Sequence, residues 1–229
     1  MDADIQENLE RLRERMARAA HRARRSAGEV RLVAVTKTVP QERIAAAVDA
    51  GVEILGENYV QEAEKKRAWC GRPVQWHMIG HLQSNKARAA VVLFDAFETV
   101  DREKIVLALQ RQAREVGKTV EVFIQVNLAA EASKTGASPD QVLPLVRLAA
   151  GCDHLRCRGL MTMPPFFDQP EKARPFFAGL RELRDRLRPV CPPNAVLEEL
   201  SMGMSGDFEV AIEEGATLVR IGTALFGAR

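Results

Sequence analysis

Lys37 is the residue whose position in the sequence most clearly suggests chemistry. It directly follows residues 31–36, an apolar run rich in β-branched residues that predicts a buried strand, and Pro40 marks the start of a helix just beyond. A primary amine at the mouth of a strand, where water is scarce, can attack an aldehyde and form an imine. A surface lysine that merely ends a strand is the plainer alternative, and the buried run before Lys37 weakens it.

Two turns near the end of the sequence predict an anion-binding site. Residues 201–207 hold two glycines and two serines between a predicted strand and a predicted helix, and residues 220–223 hold an arginine, a glycine and a threonine in the same setting. Backbone N–H groups at a helix start can bind an anion. Either turn alone is best explained as a helix cap. Two at adjacent strand ends predict a phosphate cup, and an amine opposite such a cup indicates a phosphorylated aldehyde.

Further polar residues follow the other predicted strands. Asn58 either caps the next helix or contacts a ligand, and the two roles are compatible. His81 lies in a loop, where a structural hydrogen bond explains it better than catalysis. The remaining members of this ring of strand ends are Thr99, Asn127 and residues 161–163.

Short strand-like runs alternate with longer helical ones from residue 31 onward. This alternation is typical of βα units with parallel strands. Eight such units without a linker favour a single (β/α)8 TIM barrel, covering residues 1–229 as one domain, over a doubly wound open sheet. The eight predicted strands are residues 32–36, 53–55, 75–79, 96–100, 120–126, 155–161, 196–201 and 217–221.

Local signals also predict helices and their ends. An apolar stripe with alternating spacings of four and three predicts an extra amphipathic N-terminal helix, packed on the outside or the bottom of the barrel. Ser84 and Asp101 are predicted N-caps, Gly117 is a predicted helix stop, and residues 138–141 predict a capping box. The stripe consists of Ile5, Leu9, Leu12, Met16 and Ala19.

Composition excludes several classes of protein. The net charge is only +2, and the arginines near the N-terminus are interleaved with acids, so no nucleic-acid footprint or targeting peptide is expected. No apolar segment reaches the roughly 20 residues that span a membrane. The four cysteines form no C-x-x-C pair and have no histidines at metal-ligand spacing, which indicates free thiols. We therefore expect a cytoplasmic protein without a metal site.

Seven stretches of the sequence, in order, resemble the YggS/PROSC family of pyridoxal 5′-phosphate (PLP) homeostasis proteins. The resemblance covers residues 32–229. It implies an α/β TIM barrel similar to the N-terminal domain of alanine racemase, the fold of type III PLP proteins. The seven stretches are residues 35–37, 56–62, 76–86, 133–136, 158–163, 200–205 and 219–223.

The same resemblance implies a set of cofactor-binding residues. PLP would form a Schiff base with Lys37, and its phosphate would be held around Ser205, Gly222 and Thr223. Asn58, Met202 and Ser201 would lie near the ring, and Arg220 would face the pyridine nitrogen. A guanidinium is always protonated, so Arg220 would keep that nitrogen unprotonated and weaken the ring as an electron sink.

The expected function is PLP homeostasis, meaning buffering or delivery of the cofactor, without efficient turnover and hence without a catalytic residue. The alternative is a PLP-dependent amino-acid racemase of low activity. Racemisation needs a base on each face of the substrate carbanion, and Tyr59, the only tyrosine, lies in the motif at the second strand. A third hypothesis is a Schiff-base aldolase without a cofactor, because such an enzyme would also use a barrel lysine and a phosphate cup.

Some properties stay open at the level of sequence. A chain without a second, dimer-forming domain favours a monomer, and the apo-enzymes that would receive PLP transiently are not identified. Four further lysines could offer a second amine for PLP, although an exposed cation is the better explanation for each. They are Lys65, Lys66, Lys86 and Lys134.

Overall fold

The computed structural model, which describes residues 2–129 and 135–227, contains a closed barrel of eight parallel strands. Each strand pairs with the next along the chain, and the eighth closes the barrel on the first. The predicted TIM barrel is therefore confirmed. The strands are β1 Arg31–Val35, β2 Ile54–Glu57, β3 Gln75–Met78, β4 Ala96–Val100, β5 Val120–Gln125, β6 Leu155–Met161, β7 Glu199–Ser201 and β8 Leu218–Ile221.

Helices follow the strands and surround the barrel. The last of them is only four residues long and covers little of the barrel wall. In the described residues no helix is long and apolar enough to cross a membrane. The helices are α1 Asp2–Arg22, α2 Gln41–Asp49, α3 Val60–Trp69, α4 Ala87–Leu93, α5 Glu103–Val116, α6 Pro139–Ala150, α7 Arg174–Leu187, α8 Phe208–Glu213 and α9 Thr223–Phe226.

The extra N-terminal helix packs on the outside of the barrel. The predicted stripe from Ile5 to Ala19 is buried, which confirms the amphipathic helix. Helix α1 contacts α2, α8 and α9, so it covers the wall that the short α9 leaves open. Its arginines pair with acids on α8, for example Arg22 with Glu213. The helix is therefore a structural cover, away from the strand ends.

The buried apolar residues form two separate cores. The outer core lies between the barrel and the helices, and a smaller inner core fills the barrel, with residues such as Val33, Phe123 and Leu218. Side chains alternate along a strand, so residues two positions before or after an inner-core residue also face inward. Four buried polar residues fit this spacing, and Ser201 joins them through its hydrogen bond to Glu98. The four are His77, Glu98, Gln125 and Arg220.

The predicted helix ends are confirmed where the signal is local. Ser138 and Gln141 form a capping box, and Gly117 ends α5 in the left-handed conformation at φ 66°. Ser84 and Asp101 do not cap their helices, so those two predictions are wrong. Ser84 instead begins a short 3-10 turn ahead of α4, and the carboxylate of Asp101 accepts a hydrogen bond from Arg102.

Strands β6 and β7 approach so closely at Gly159 that a side chain there is excluded. A Cβ atom at this position would lie 1.9 Å from the carbonyl oxygen of Glu199. We expect Gly159→Ala to lower the free energy of unfolding by about 2–3 kcal/mol or more, because strand backbone must move to relieve the clash. Urea unfolding followed by circular dichroism measures this change.

The matched control is Gly179→Ala in α7. A Cβ atom at Gly179 would make only ordinary contact with Leu128, at 3.8 Å. Alanine is favoured over glycine in a helix by about 1 kcal/mol, so this variant should be unchanged or slightly more stable. Equal destabilisation by both substitutions would contradict the close approach at Gly159.

Candidate functional site

A cavity of about 300 Å³ opens at the carboxyl ends of the barrel strands. Chemistry in barrels of this type takes place at that end. Its wall contains an amine, a guanidinium, two amides and an imidazole, contributed by loops and strands from around the ring. These are the side chains of Lys37, Arg220, Asn58, Gln125 and His81.

Lys37 reaches this cavity from the end of β1 with its amine unoccupied. The residue is half-buried, and no hydrogen bond or ion pair joins it to any described residue. The next residue, Thr38, has the left-handed backbone conformation, at φ 59°, which a non-glycine residue seldom adopts. The chain therefore turns sharply just after the lysine.

A buried charge cluster lies behind Lys37, between β1, β2 and α3. The ammonium of Lys66 donates to the carbonyl oxygen of Thr36 and to Glu57 Oε1, both at 2.7 Å, and pairs with Glu62 at 3.2 Å. Burial raises the pKa of Glu57 above its ordinary value, and hydrogen bonds from Lys66 and Thr36 oppose that rise. Lys66 is thus bound within the protein and is not available as a second amine for a ligand.

The other lysines that the sequence left open differ from Lys66. Lys65 and Lys86 are exposed, so each fits the simple reading of a solvated cation. Lys134 lies outside the described residues, as does Ser133 of the same stretch.

A second buried network holds Arg220 at the cavity floor. The Arg220 guanidinium donates to Ser201 Oγ at 2.5 Å and to the carbonyl oxygen of Thr162 at 2.9 Å. Ser201 in turn donates to Glu98 Oε2 at 2.5 Å, and His77 Nδ1 lies 2.7 Å from Glu98 Oε1. These side chains come from β3, β4, β7 and β8, so the closed barrel is what brings them together.

The charges of this network compensate one another. Burial alone would raise the pKa of Glu98, but the hydrogen bond and charge of His77, with Arg220 and Ser201, hold it below its ordinary value. Burial lowers the pKa of Arg220, and the charges of Glu98 and Asp207 oppose that effect. The cavity floor therefore presents a positive guanidinium backed by an ionised carboxylate.

The two C-terminal turns meet at the hydroxyl of Ser205. Its oxygen accepts hydrogen bonds from the backbone N–H groups of Gly222 and Ala224, both at 3.3 Å. Thr223 lies between them and begins α9. Hydrogen bonds of this length are weak, so these groups could turn toward a stronger acceptor such as a phosphate oxygen. The structure thus brings Ser205, Gly222 and Thr223 together. Ser205 directly follows Met204 of the cavity wall, whereas Gly222 lines a second cavity that also includes Thr38, the residue after Lys37.

Asn58 and Met202 occupy different environments. Asn58 lies in the cavity wall, where a Cβ atom on Gly80 would come within 2.2 Å of its carbonyl oxygen, so only glycine fits at position 80. The Asn58 side chain does not cap α3, whose first turn follows Tyr59. Met202 is fully buried in the outer core, and Met204 contributes to the wall in its place. The backbone N–H of Met202 donates to the carbonyl oxygen of Leu218 at 3.1 Å, and Met202 is not among the described residues of the cavity wall.

Sequence reasoning missed three inward-facing residues of this site. His77 and Glu98 support Arg220, and the amide of Gln125 lies in the cavity wall with its Oε1 atom buried and without a hydrogen-bond partner among the described residues. The alternation of side chains along a strand could have identified two of them. Glu98 lies two positions after the inward-facing Ala96, and Gln125 lies two positions after the inward-facing Phe123. His81 does reach the wall, where its Nε2 atom lies 3.2 Å from Arg102.

Comparison with known families decides where the chain belongs. A family model described as the alanine racemase N-terminal domain matches residues 6–229. The chain belongs to this family.

Curated relatives match the chain over nearly its whole length. A pyridoxal phosphate homeostasis protein of Aquifex aeolicus is 42% identical over 224 residues, covering 97% of each chain. One from Pseudomonas aeruginosa is 43% identical over 226 residues, covering 98% of this chain and 96% of the relative.

Solved structures of other proteins contain the same barrel. PipY of Synechococcus elongatus, solved with PLP bound, is 36% identical with a TM-score of 0.86, over 97% of this chain and 100% of its own. Alanine racemase from Corynebacterium glutamicum is 15% identical with a TM-score of 0.76, over 100% of this chain and 62% of its own, and that likeness shows the fold alone.

The Glu98 network predicts a pH-dependent stability. A carboxyl group with a lowered pKa in the folded state stabilises the protein above its unfolded pKa, about 4.3, and this contribution is lost as the pH falls through the folded value. Glu98→Gln should therefore lower the free energy of unfolding by about 2–3 kcal/mol at pH 7, and the difference from wild type should shrink below pH about 4. Urea titrations from pH 7 to pH 3 measure it.

Glu64→Gln, at an exposed position on α3, is the control for this experiment. It removes one carboxylate without touching a buried partner, so its stability should follow that of the wild type at every pH. A difference between Glu98→Gln and wild type that stays constant down to pH 3 would contradict the ionised state of Glu98.

Proposed function

We propose that this protein binds PLP as a Schiff base on Lys37 and acts in PLP homeostasis, by buffering or delivering the cofactor, without efficient catalytic turnover. One observation carries the proposal. The amine of Lys37, which has no partner among the described residues, shares a cavity with the buried guanidinium of Arg220, in a family whose relatives bear the name of PLP homeostasis proteins. A solved relative with PLP bound supports the choice of cofactor.

The residues present fit PLP in each of its chemical parts. A phosphate fits the N–H groups of Gly222 and Ala224 with the hydroxyl of Ser205. A pyridine nitrogen fits a fixed guanidinium donor, and Gln125 Oε1, which is without a partner in residues 2–129 and 135–227, offers an acceptor in the wall. The cavity of about 300 Å³ lies at the lower end of the range for small-molecule sites.

PLP would supply an electrophilic aldehyde and a conjugated ring. Lys37 would attack the aldehyde carbon, forming the C–N bond of the Schiff base as one water leaves. Arg220 would donate to the pyridine nitrogen without giving up its proton, because a guanidinium is too weak an acid. Ser201 and Glu98 would hold Arg220 in that orientation. The ring would therefore be bound firmly and activated weakly.

The arrangement of bases also favours a carrier over a racemase. Lys37 can serve one face of a substrate carbanion. Tyr59 is 58% exposed and is not among the described residues of the cavity wall. His81 does lie in that wall, which keeps a racemase of low activity as the second candidate. We further propose that residues 1–229 form one PLP-binding domain that works as a cytoplasmic monomer and meets PLP-dependent apo-enzymes only transiently.

Absorption spectroscopy tests the Schiff base. The protein mixed with PLP should absorb visible light, and borohydride reduction followed by peptide mass spectrometry should locate the cofactor on Lys37. Lys37→Ala should lose the absorbance, whereas Lys86→Ala, at an exposed position, should keep it. Retention of the band by Lys37→Ala would rule out this attachment site.

Turnover and transfer assays test the carrier role. The loaded protein should racemise amino acids far more slowly than about 1 s⁻¹, the low end of ordinary enzymes. It should also pass PLP to an apo-enzyme, and a transfer rate above that of spontaneous release into solution would indicate direct delivery. Racemisation at ordinary enzymatic rates would favour the racemase instead.

A further inference from the structure

We propose that Lys66 and Glu62 of α3 are positioning residues for Lys37: they fix the backbone on both sides of it and so direct its amine into the cavity. The inference rests on the proposed function, because it concerns how readily Lys37 forms its Schiff base. Neither side chain is part of the cavity wall, so neither would touch PLP directly.

On the N-terminal side of Lys37, the contact is with the carbonyl oxygen of Thr36. Lys66 Nζ donates to this oxygen at 2.7 Å, and Thr36 Oγ1 donates to Glu57 Oε1 at 2.5 Å. Thr36 and Glu57 are fully buried. The peptide group that precedes Lys37 is therefore held by a charged donor from another element.

On the C-terminal side, the contact is with the backbone of Thr38. Its N–H group donates to Glu62 Oε2 at 3.1 Å, in the left-handed conformation noted above. That conformation costs a non-glycine residue about 1–2 kcal/mol and persists only when the surroundings hold it. Glu62 therefore helps to maintain the sharp turn that separates Lys37 from α2.

The two contacts form one unit because Lys66 also binds Glu62. An ammonium has three donor protons, and Lys66 has three acceptors within 3.2 Å: Thr36 O, Glu57 Oε1 and Glu62 Oε2. No other side chain offers three donors at a single atom. The turn of α3 that carries Glu62 and Lys66 thus holds both neighbours of Lys37 at once.

Stability alone does not explain this arrangement. Lys66 is only 9% exposed and Glu57 is fully buried, and replacing a buried ion pair by apolar residues of similar volume is often neutral or stabilising. An apolar pair could fill the space but could not bind the carbonyl oxygen of Thr36. The geometry points to placement of Lys37, for which an error of 1 Å can slow a reaction about 100-fold.

The test removes the contacts without leaving a buried charge. In the double variant Lys66→Met/Glu57→Gln, no charge of the pair remains and both side chains keep nearly their length. Glu62→Ala removes the acceptor for Thr38, and Glu62→Gln restores it. Lys65→Met is the matched control, since it removes the neighbouring, exposed cation of the same helix.

Two probes separate positioning from general damage. PLP reports the rate of Schiff-base formation by its absorbance, and 4′-deoxypyridoxine 5′-phosphate, which has no aldehyde, reports non-covalent affinity. We expect the double variant and Glu62→Ala to slow Schiff-base formation about tenfold or more. Their affinity for the aldehyde-free probe should stay near that of the wild type. Glu62→Gln should recover most of the rate, and Lys65→Met should match the wild type.

The outcomes distinguish this inference from the function on which it rests. If the wild type forms no Schiff base, the proposed function is wrong and the positioning role with it. If the wild type forms it and the variants form it equally fast, only the positioning role is wrong. The same holds if the variants lose affinity for the aldehyde-free probe by as large a factor as they lose rate with PLP. Should the double variant fail to fold, the comparison of Glu62→Ala with Glu62→Gln decides the question.

Discussion

The site depends on one buried carboxylate. Glu98 lies inside the barrel, where an ionised group without partners would cost several kcal/mol, and its partners come from three other strands. One oxygen contacts His77 on β3, and the other accepts from Ser201 on β7, which holds Arg220 on β8. Each strand must be in register for this carboxylate to be satisfied. The same interactions that favour the closed barrel therefore also fix the guanidinium at the floor of the cavity.

Buried charges also shape the side of the cavity where Lys37 lies. Near Lys37 a second buried cluster joins Lys66 to Glu57 and Glu62, and together with the carbonyl oxygen of Thr36 these acceptors use all three donor protons of Lys66. Lys37 itself has no such partner among the described residues. Lys37 after β1 and Lys66 on α3 thus differ in their contacts: Lys66 is bound into the structure, and Lys37 is left with an accessible amine at the mouth of the barrel.

Membership of the alanine racemase N-terminal domain family accounts for the barrel, while the details of this site bear on what the barrel does. In the function that we propose, Arg220 would face the cofactor ring and restrain its use as an electron sink. Lys37 and the turns around Ser205 and Gly222 would still retain the cofactor. Retention without strong activation is the combination that a carrier of a reactive aldehyde requires, because an unrestrained PLP aldehyde would react with other amines.

Sequence by itself determined the features that short-range patterns encode. The alternation of strands and helices gave eight βα units, with the bounds of β4 and β6 correct to the residue, and it placed Lys37 and the turns around Ser205 and Gly222 at strand ends. Only the tertiary structure decided which distant groups meet. Glu98 and Ser201 are 103 residues apart, and nothing local to either predicts their hydrogen bond. The failed caps at Ser84 and Asp101 have a local cause: a 3-10 turn begins at Ser84 ahead of α4, and Asp101 accepts a hydrogen bond from its neighbour Arg102. The partner of a buried polar side chain depends on which residues the closed barrel brings next to it. The hydrophobic period of 2 or 3.6 residues that predicts a strand or a helix is a property of the local sequence.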